Sequence, residues 1–134
     1  MPVNFVYWNS GAGISHDVAL MEDIFLSAGI SVRHVVTRDR GCRTERVLKA
    51  LRQMRTALWP RHVQFHFEQI HREQLRHGRY NFILPNPEFT DPDVFRKLSR
   101  PPVILCKTRH AKQLFTSLQG SALYIGFTSR DRMM

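Results

Sequence analysis

Short apolar runs alternate along this chain with segments whose apolar residues recur every three or four positions. Runs rich in β-branched and aromatic residues predict six strands, at 3–8, 31–37, 62–68, 80–84, 102–106 and 122–127. The wider spacing predicts helices over 18–28, 44–59, 94–98 and 111–118, with a short polar helix around Glu73. In the last of these helices, Ala111, Leu114 and Phe115 are expected to face inward.

Strands that alternate with helices favour parallel pairing through right-handed crossovers. We therefore predict an α/β fold, with a doubly wound, mostly parallel sheet of about six strands and helices on both faces, in a Rossmann-like arrangement. The chain has 134 residues, and no repeat, low-complexity tract or Gly/Ser linker divides it. The prediction is a single Rossmann-like domain over residues 1–134.

The formal net charge of +9 is distributed unevenly. Residues 1–32 carry −3, residues 33–79 carry +8 and the remaining residues carry +4. Such a basic belt can attract nucleic acid, an anionic membrane surface or a phosphorylated substrate, and it can equally be a solvated helix face. Cys42 and Cys106 are the two cysteines, and the sequence has neither a signal-peptide core nor an apolar span, so we expect a soluble, cytoplasmic protein.

The turns after the strands are the expected location of chemistry, because a parallel sheet binds ligands beyond the carboxyl ends of its strands. After the first strand, the turn "NSGAGIS" resembles a phosphate-approach loop, with Asn9, Ser10, Gly11 and Gly13 as candidate phosphate ligands. Position 16 is His and no G-K-[ST] ending follows, so neither a dinucleotide site nor an NTPase is expected. The same glycines would also suit a plain tight turn.

Two glutamates follow later strands. Glu68 ends the third strand, and Glu88 lies on the stiff turn "PNPEF" after the fourth. Either carboxylate could act as a general base or bind acceptor hydroxyls, and either could be an ordinary surface residue. The nearby histidines lack a Cys pair or an H-E-x-x-H spacing, so no metal site is expected.

The stretch "VILCKTRHAKQLF" joins the fifth strand to its helix. Thr108 is the expected helix cap, and Lys107, Thr108 and Arg109 are candidate ligands for a donor phosphate or an anionic acceptor. His110 is a candidate catalytic residue in the same turn. The alternative is a polar junction between a strand and a helix, with no ligand.

Five segments together resemble a known family: "NSGAGIS", "HFEQIH", "FILPNPEF", "LCKTRHAKQLF" and "YIGFTSRDR". Over most of the chain, the series is similar to the amino-terminal, acceptor-side Rossmann-like domain of bacterial GT-B-fold glycosyltransferases, in a group related to the glycogen-synthase-like retaining enzymes. Its most specific parts are residues 80–88, 103–115 and 124–132.

The resemblance implies transfer of a sugar from a nucleotide-sugar donor to a carbohydrate or lipid-linked acceptor, without a covalent cofactor or a metal. It also implies a carboxyl-terminal GT-B domain that supplies most nucleotide-sugar binding, including E-x7-E carboxylates that have no counterpart in this sequence. Because the chain ends at Met134, where the peptide crossing to that domain would begin, we expect a correct fold with little or no transferase activity.

A different class of function is the alternative, namely a non-catalytic basic α/β module that binds an anionic ligand, nucleic acid or a membrane surface. The sequence contains no signature of a common nucleic-acid-binding motif, so nucleic acid is not an expected partner. Peripheral contact with the anionic inner face of a membrane would suit a lipid-linked acceptor.

Overall fold

The computed structural model describes residues 2–8, 12–37, 62–88, 90, 93–119 and 122–126. The strands are β1 (Val3–Tyr7), β2 (Val32–Val36), β3 (His62–Phe67), β4 (Gly78–Leu84), β5 (Val103–Cys106) and β6 (Ala122–Tyr124). The helices are α1 (Ala12–Ser27), α2 (Arg72–Leu75), α3 (Asp93–Arg96) and α4 (Arg109–Gln119). The helix predicted over 44–59 lies outside the described residues.

The six strands form one sheet in the order β2-β1-β3-β4-β5-β6, and every neighbouring pair is parallel. This arrangement confirms the α/β, Rossmann-like prediction. The chain places β2 on one side of β1 and all later strands on the other side, so the direction of winding reverses between β1 and β3. In doubly wound sheets this reversal opens a crevice beyond the carboxyl ends of the two strands.

One face of the sheet packs against α1 through an aromatic core. Phe5 of β1 is fully buried, and its ring meets Phe25 of α1 at 5.5 Å and Phe67 of β3 at 5.1 Å, both edge to face. Full burial of one such side chain contributes roughly 1.5–3 kcal/mol. The buried cluster on this face is Val3, Phe5, Ile14, Val18, Met21, Phe65, Phe67, Leu84 and Leu105.

The opposite face packs against α3 and α4. Adjacent residues of a strand point to opposite faces, and in β5 Leu105 belongs to the first core whereas Ile104 and Cys106 belong to a second. Phe95 of α3 and Phe115 of α4 cover this second core, with ring centroids 5.6 Å apart. Helices therefore cover both faces, as predicted.

Two details of the predicted elements are wrong. Leu114 is 37% exposed, and among the described side chains of α4 the buried apolar ones are Ala111 and Phe115, four residues apart. The turn predicted to extend through Ser15 is shorter, since α1 begins at Ala12. Within the part of the chain that the structure describes, no helix has both the length and the apolarity to cross a membrane.

Candidate functional site

Four side chains gather at the carboxyl edge of the sheet, and we call them the edge cluster: Asp17, Glu68, Asn86 and Lys107. Glu68 follows β3, Asn86 follows β4 and Lys107 follows β5, while Asp17 faces them from α1. Asp17 and Lys107 act on the Glu68 carboxylate through charge, and Asn86 acts on it through a hydrogen bond. The cluster thus unites three strand ends and one helix beside the reversal point.

The backbone of Glu68 adopts a left-handed conformation, with a φ of 60°. Its N–H donates to the carbonyl of Leu84 at 2.8 Å, and its own carbonyl accepts from the Thr90 hydroxyl at 2.7 Å. This conformation costs a residue other than glycine roughly 1–2 kcal/mol. The surrounding hydrogen bonds hold the strained turn in place and so fix the direction in which its side chain leaves the backbone.

The pKa of the Glu68 carboxyl is raised above its usual value, mainly because burial disfavours the charged form. The Lys107 ammonium lowers this pKa, the Asp17 carboxylate raises it, and the hydrogen bond from Asn86 lowers it. Burial and Asp17 outweigh the two stabilising contacts. A carboxylate with a raised pKa is a stronger base near neutral pH than an ordinary surface glutamate.

Lys107 is held by an ion pair. Its Nζ lies 2.5 Å from Oδ2 of Asp17, and the two side chains are 26% and 21% exposed. Partial burial strengthens such a pair relative to a fully solvated one. The Lys107 charge is therefore already compensated within the protein, which weakens its suitability for a diphosphate.

The remaining residues of the turn after β5 form the start of α4. The Thr108 hydroxyl accepts a hydrogen bond from the Ala111 N–H at 3.1 Å, which makes Thr108 the cap of α4, as predicted. Arg109 and His110 form the exposed start of the same helix. Their predicted roles toward a phosphate or in catalysis stay predictions.

The other sequence candidates are not assigned to the edge cluster. Glu88 is exposed on the turn after β4, where its N–H donates to the Asn86 side-chain oxygen at 3.4 Å. Gly13 lies inside the first turn of α1 rather than in a loop. Asn9, Ser10 and Gly11, predicted as phosphate ligands, lie outside the described residues. Asp17 was not singled out from the sequence, because a single acid on a helix carries no motif.

The polar residues of β3 have an unexpected environment. The alternation of the polar residues His62, Gln64 and His66 along the sequence indicates either an edge strand or a strand that lines a pocket. The structure places β3 in the middle of the sheet, so it is not an edge strand. His66 is completely buried there, and its pKa is lowered to about 4, first by burial and then by the neighbouring His71. The His71 ring stacks beside it at 6.5 Å and contacts the Thr37 hydroxyl through Nε2 at 3.1 Å.

A second surface feature is an open groove of about 650 Å³ along the outer side of α4. It is lined by Arg109, Lys112, Gln113, Thr116, Ser117 and Tyr124. Arg109 and Lys112 provide two exposed cations, and Tyr124 of β6 provides an aromatic ring that is 46% exposed. The groove therefore combines positive charge with hydroxyl, amide and aromatic groups.

Across the residues that the structure describes, no group of three or more His, Cys, Asp or Glu side chains is placed to hold a metal ion. Comparisons with protein-family models, with curated proteins and with solved structures give no match to this chain.

Proposed function

We propose that this chain is the amino-terminal, Rossmann-like half of a two-domain GT-B glycosyltransferase, and that its edge cluster forms one wall of the substrate cleft. The main observation in support is the Glu68 carboxylate, which is held on a strained left-handed turn at the reversal point of the sheet. Strain of this kind concentrates at functional sites, where a side chain must be aimed in one direction. The sequence resemblance supports the same proposal.

Glycosyl transfer requires the amino-terminal domain to bind the acceptor and to remove a proton from it. An acceptor hydroxyl attacks the anomeric carbon of the donor sugar, the nucleoside diphosphate departs, and the hydroxyl loses its proton. Glu68 accepts a hydrogen bond from the acceptor hydroxyl and takes up its proton, a task for which its raised pKa is suited. Asn86, at the end of the adjacent strand β4, donates a hydrogen bond to the carboxylate, and Lys107, at the end of β5, acts on it through charge.

The charge of the edge cluster favours a neutral, hydroxyl-rich ligand over a phosphate. Asp17 and Glu68 are acidic and only Lys107 is basic, so the cluster is net negative when the carboxyls are ionised. Carboxylates and amides accept hydrogen bonds from sugar hydroxyls, whereas a diphosphate would be repelled. Stabilisation of the departing diphosphate is then assigned to Arg109 at the start of α4 and to the second domain.

The remaining parts of the proposal follow the resemblance. The second domain supplies most of the nucleotide-sugar binding, so this chain alone has little or no transferase activity. No metal and no covalent cofactor take part. The enzyme works in the cytoplasm, and a lipid-linked acceptor would bring it to the inner face of the membrane.

Nuclear magnetic resonance of the ¹⁵N-labelled chain tests this proposal. The protein is titrated separately with methyl α-glucopyranoside, UDP-glucose and inorganic phosphate. We expect methyl α-glucopyranoside to shift the amide signals of Glu68, Asn86 and Lys107, and we expect UDP-glucose and inorganic phosphate, which carry negative charge, to leave those signals unchanged. Shifts with phosphate alone, or no shifts near these residues with any probe, would refute a sugar-binding role for the edge cluster.

A second candidate function is supported by the groove along α4. Arg109 and Lys112 beside the Tyr124 ring form a surface that suits an anionic partner, in keeping with the net charge of +9. On this alternative the domain is non-catalytic. Two assays at low salt identify the anionic partner. Cosedimentation with anionic but not neutral vesicles would indicate a membrane surface, and a mobility shift of single-stranded DNA would indicate nucleic acid.

A further inference from the structure

The second face of the sheet carries polar side chains at a place where central parallel strands are normally apolar on both sides. Asn4 of β1 is in register with Gln64 of β3, and Gln64 is in register with Asn81 of β4. Three carboxamides therefore lie side by side across the three central strands. We call Asn4, Gln64 and Asn81 the amide row.

Two members of the amide row are buried, and the third, Asn81, is half-buried. Gln64 is 2% exposed and Asn4 is 6% exposed, and the neighbouring His66, two residues along β3 on the same face, is fully buried. Polar groups at such depth nearly always have hydrogen-bond partners, because removal from water without compensation is unfavourable. The side chains of the row are therefore expected to have hydrogen-bond partners.

The atoms that need a partner are the side-chain oxygens of the row together with both ring nitrogens of His66. Among the described residues, none of these atoms has a hydrogen-bond partner in good geometry, although the Asn81 side chain lies close enough to His66 to act on its pKa. The Asn81 nitrogen, by contrast, donates to the Leu75 carbonyl at 2.9 Å, which fixes the orientation of this amide. Three acceptor oxygens and a neutral imidazole, which has one donor and one acceptor nitrogen, call for a small ligand that both donates and accepts hydrogen bonds.

The spacing of the row suits a ligand of the size of water. Side chains in register on neighbouring strands are about 5 Å apart, so a small molecule between two of them can lie about 2.8 Å from both. Gly78 leaves room for the Asn81 side chain beside Gln64. A Cβ atom at this position would lie 2.3 Å from the Asn81 side-chain oxygen and 3.1 Å from Cγ of Gln64.

A cation is the other ligand that amide oxygens accept, and charge argues against it. The amide row contains no carboxylate, and its neighbour His66 is neutral near pH 7 because its pKa is about 4. A cation would remain uncompensated at this depth, in a chain whose net charge is already +9. A neutral donor avoids this cost.

We propose that the amide row is a binding site for buried water, with individual molecules bridging Asn4 to Gln64 and Gln64 to Asn81. A buried water with two or more polar partners is a structural component of a fold. These bridges tie the neighbouring strands β1, β3 and β4 together within the sheet. They support β3 at the strand that ends in Glu68.

Water-to-protein nuclear Overhauser measurements on the ¹⁵N-labelled chain test this inference. We expect cross-peaks between long-lived water and the side-chain amide protons of Gln64 and Asn81. In Gln64→Leu, which removes the central oxygen, the cross-peak at Asn81 is lost. In Gln113→Leu, a matched change of an exposed amide on α4, it is retained.

A high-resolution crystal structure of the unmodified chain provides an independent measurement, so the inference can be tested even if Gln64→Leu does not fold. Ordered water within hydrogen-bond distance of two oxygens of the row supports it. Protein donors from elsewhere in the chain on those oxygens would overturn it. A melting temperature that differs between sodium and potassium buffers at equal ionic strength would also overturn it, because it would indicate a bound cation.

Discussion

The Nζ atom of Lys107 lies 2.5 Å from Oδ2 of Asp17, and this ion pair joins the end of β5 to α1 across the carboxyl edge of the sheet. Both charges act on the Glu68 carboxyl: Lys107 stabilises its ionised form, and Asp17 destabilises that form. The electrostatic state of the edge cluster is therefore set by residues that are far apart in sequence.

This arrangement predicts opposite effects from the two halves of the ion pair. Lys107→Met removes the cation that lowers the pKa of Glu68, so this pKa is expected to rise further. Asp17→Asn removes the anion that raises it, so the same pKa is expected to fall. A ¹³C titration of the Glu68 side-chain carboxyl measures both shifts.

Arg96→Met is the matched control for this pair of variants. Arg96 contacts Asp93 within α3 at 3.0 Å, and the two side chains are 58% and 60% exposed. Its removal is expected to leave the titration of Glu68 unchanged. Shifts of the same sign in Lys107→Met and Asp17→Asn would contradict the proposed electrostatics.

The left-handed backbone at Glu68 predicts an unusual order of stability between two variants. Glu68→Gly and Glu68→Ala both remove the carboxylate, but only glycine adopts a φ of 60° without strain. Glu68→Gly should therefore be more stable than Glu68→Ala by about 1 kcal/mol. Urea unfolding of the two variants gives this difference, and equal stabilities would mean that the turn is not strained.

Burial of His66 predicts a specific loss of stability in acid. The unfolded chain takes up a proton near the ordinary pKa of 6.5, while the folded pKa is about 4. The stability associated with neutral His66 is thus complete above pH 6.5 and falls as the pH drops toward 4, by about 3 kcal/mol in all. His66→Leu should remove this part of the pH dependence of unfolding.

Gln113→Leu serves as the comparison, because it replaces an exposed, non-titrating residue of α4, and we expect it to preserve the acid-dependent slope. The pKa of His77 is also lowered by burial, so a smaller slope is expected to persist in His66→Leu. The same slope in His66→Leu and the wild type would show that His66 is accessible to protons in the folded state.

Gly78 offers a test of the packing beneath the amide row. In Gly78→Ala the new Cβ would lie 2.3 Å from the Asn81 side-chain oxygen, so Asn81 must move and weaken its bond to Leu75. We expect a loss of about 1–3 kcal/mol in unfolding free energy. The loss should be much smaller when Gly78→Ala is made in an Asn81→Ala background, and equal losses in both backgrounds would argue against this contact.

The succession of strands and helices was predictable because each depends on local spacing. The β-branched run at 3–8 indicates a strand, and the apolar repeat of three to four residues after it indicates a helix, because both depend only on residues close together in sequence. The parallel order followed from the same alternation and from the handedness of crossovers. Leu114 shows the limit, since its exposure depends on how closely α4 packs on β5.

The candidate site was only partly predictable for the same physical reason. Glu68 and Lys107 could be selected because they follow strands whose carboxyl ends share one edge. Asp17 lies on α1 and pairs with a residue 90 positions away, a contact that no local pattern encodes. The strained φ of Glu68 is likewise a product of the contacts from Leu84 and Thr90.

The most direct test of the proposed acceptor role is the affinity of the chain for methyl α-glucopyranoside, measured by chemical-shift titration in the wild type and in Glu68→Gln. A hydrogen bond to a charged group contributes about 1.5–3 kcal/mol, so the variant should bind at least about tenfold more weakly. Equal affinity in the two proteins, or shifts confined to the groove formed by Arg109, Lys112 and Tyr124, would contradict the assignment of the edge cluster as the sugar-binding wall.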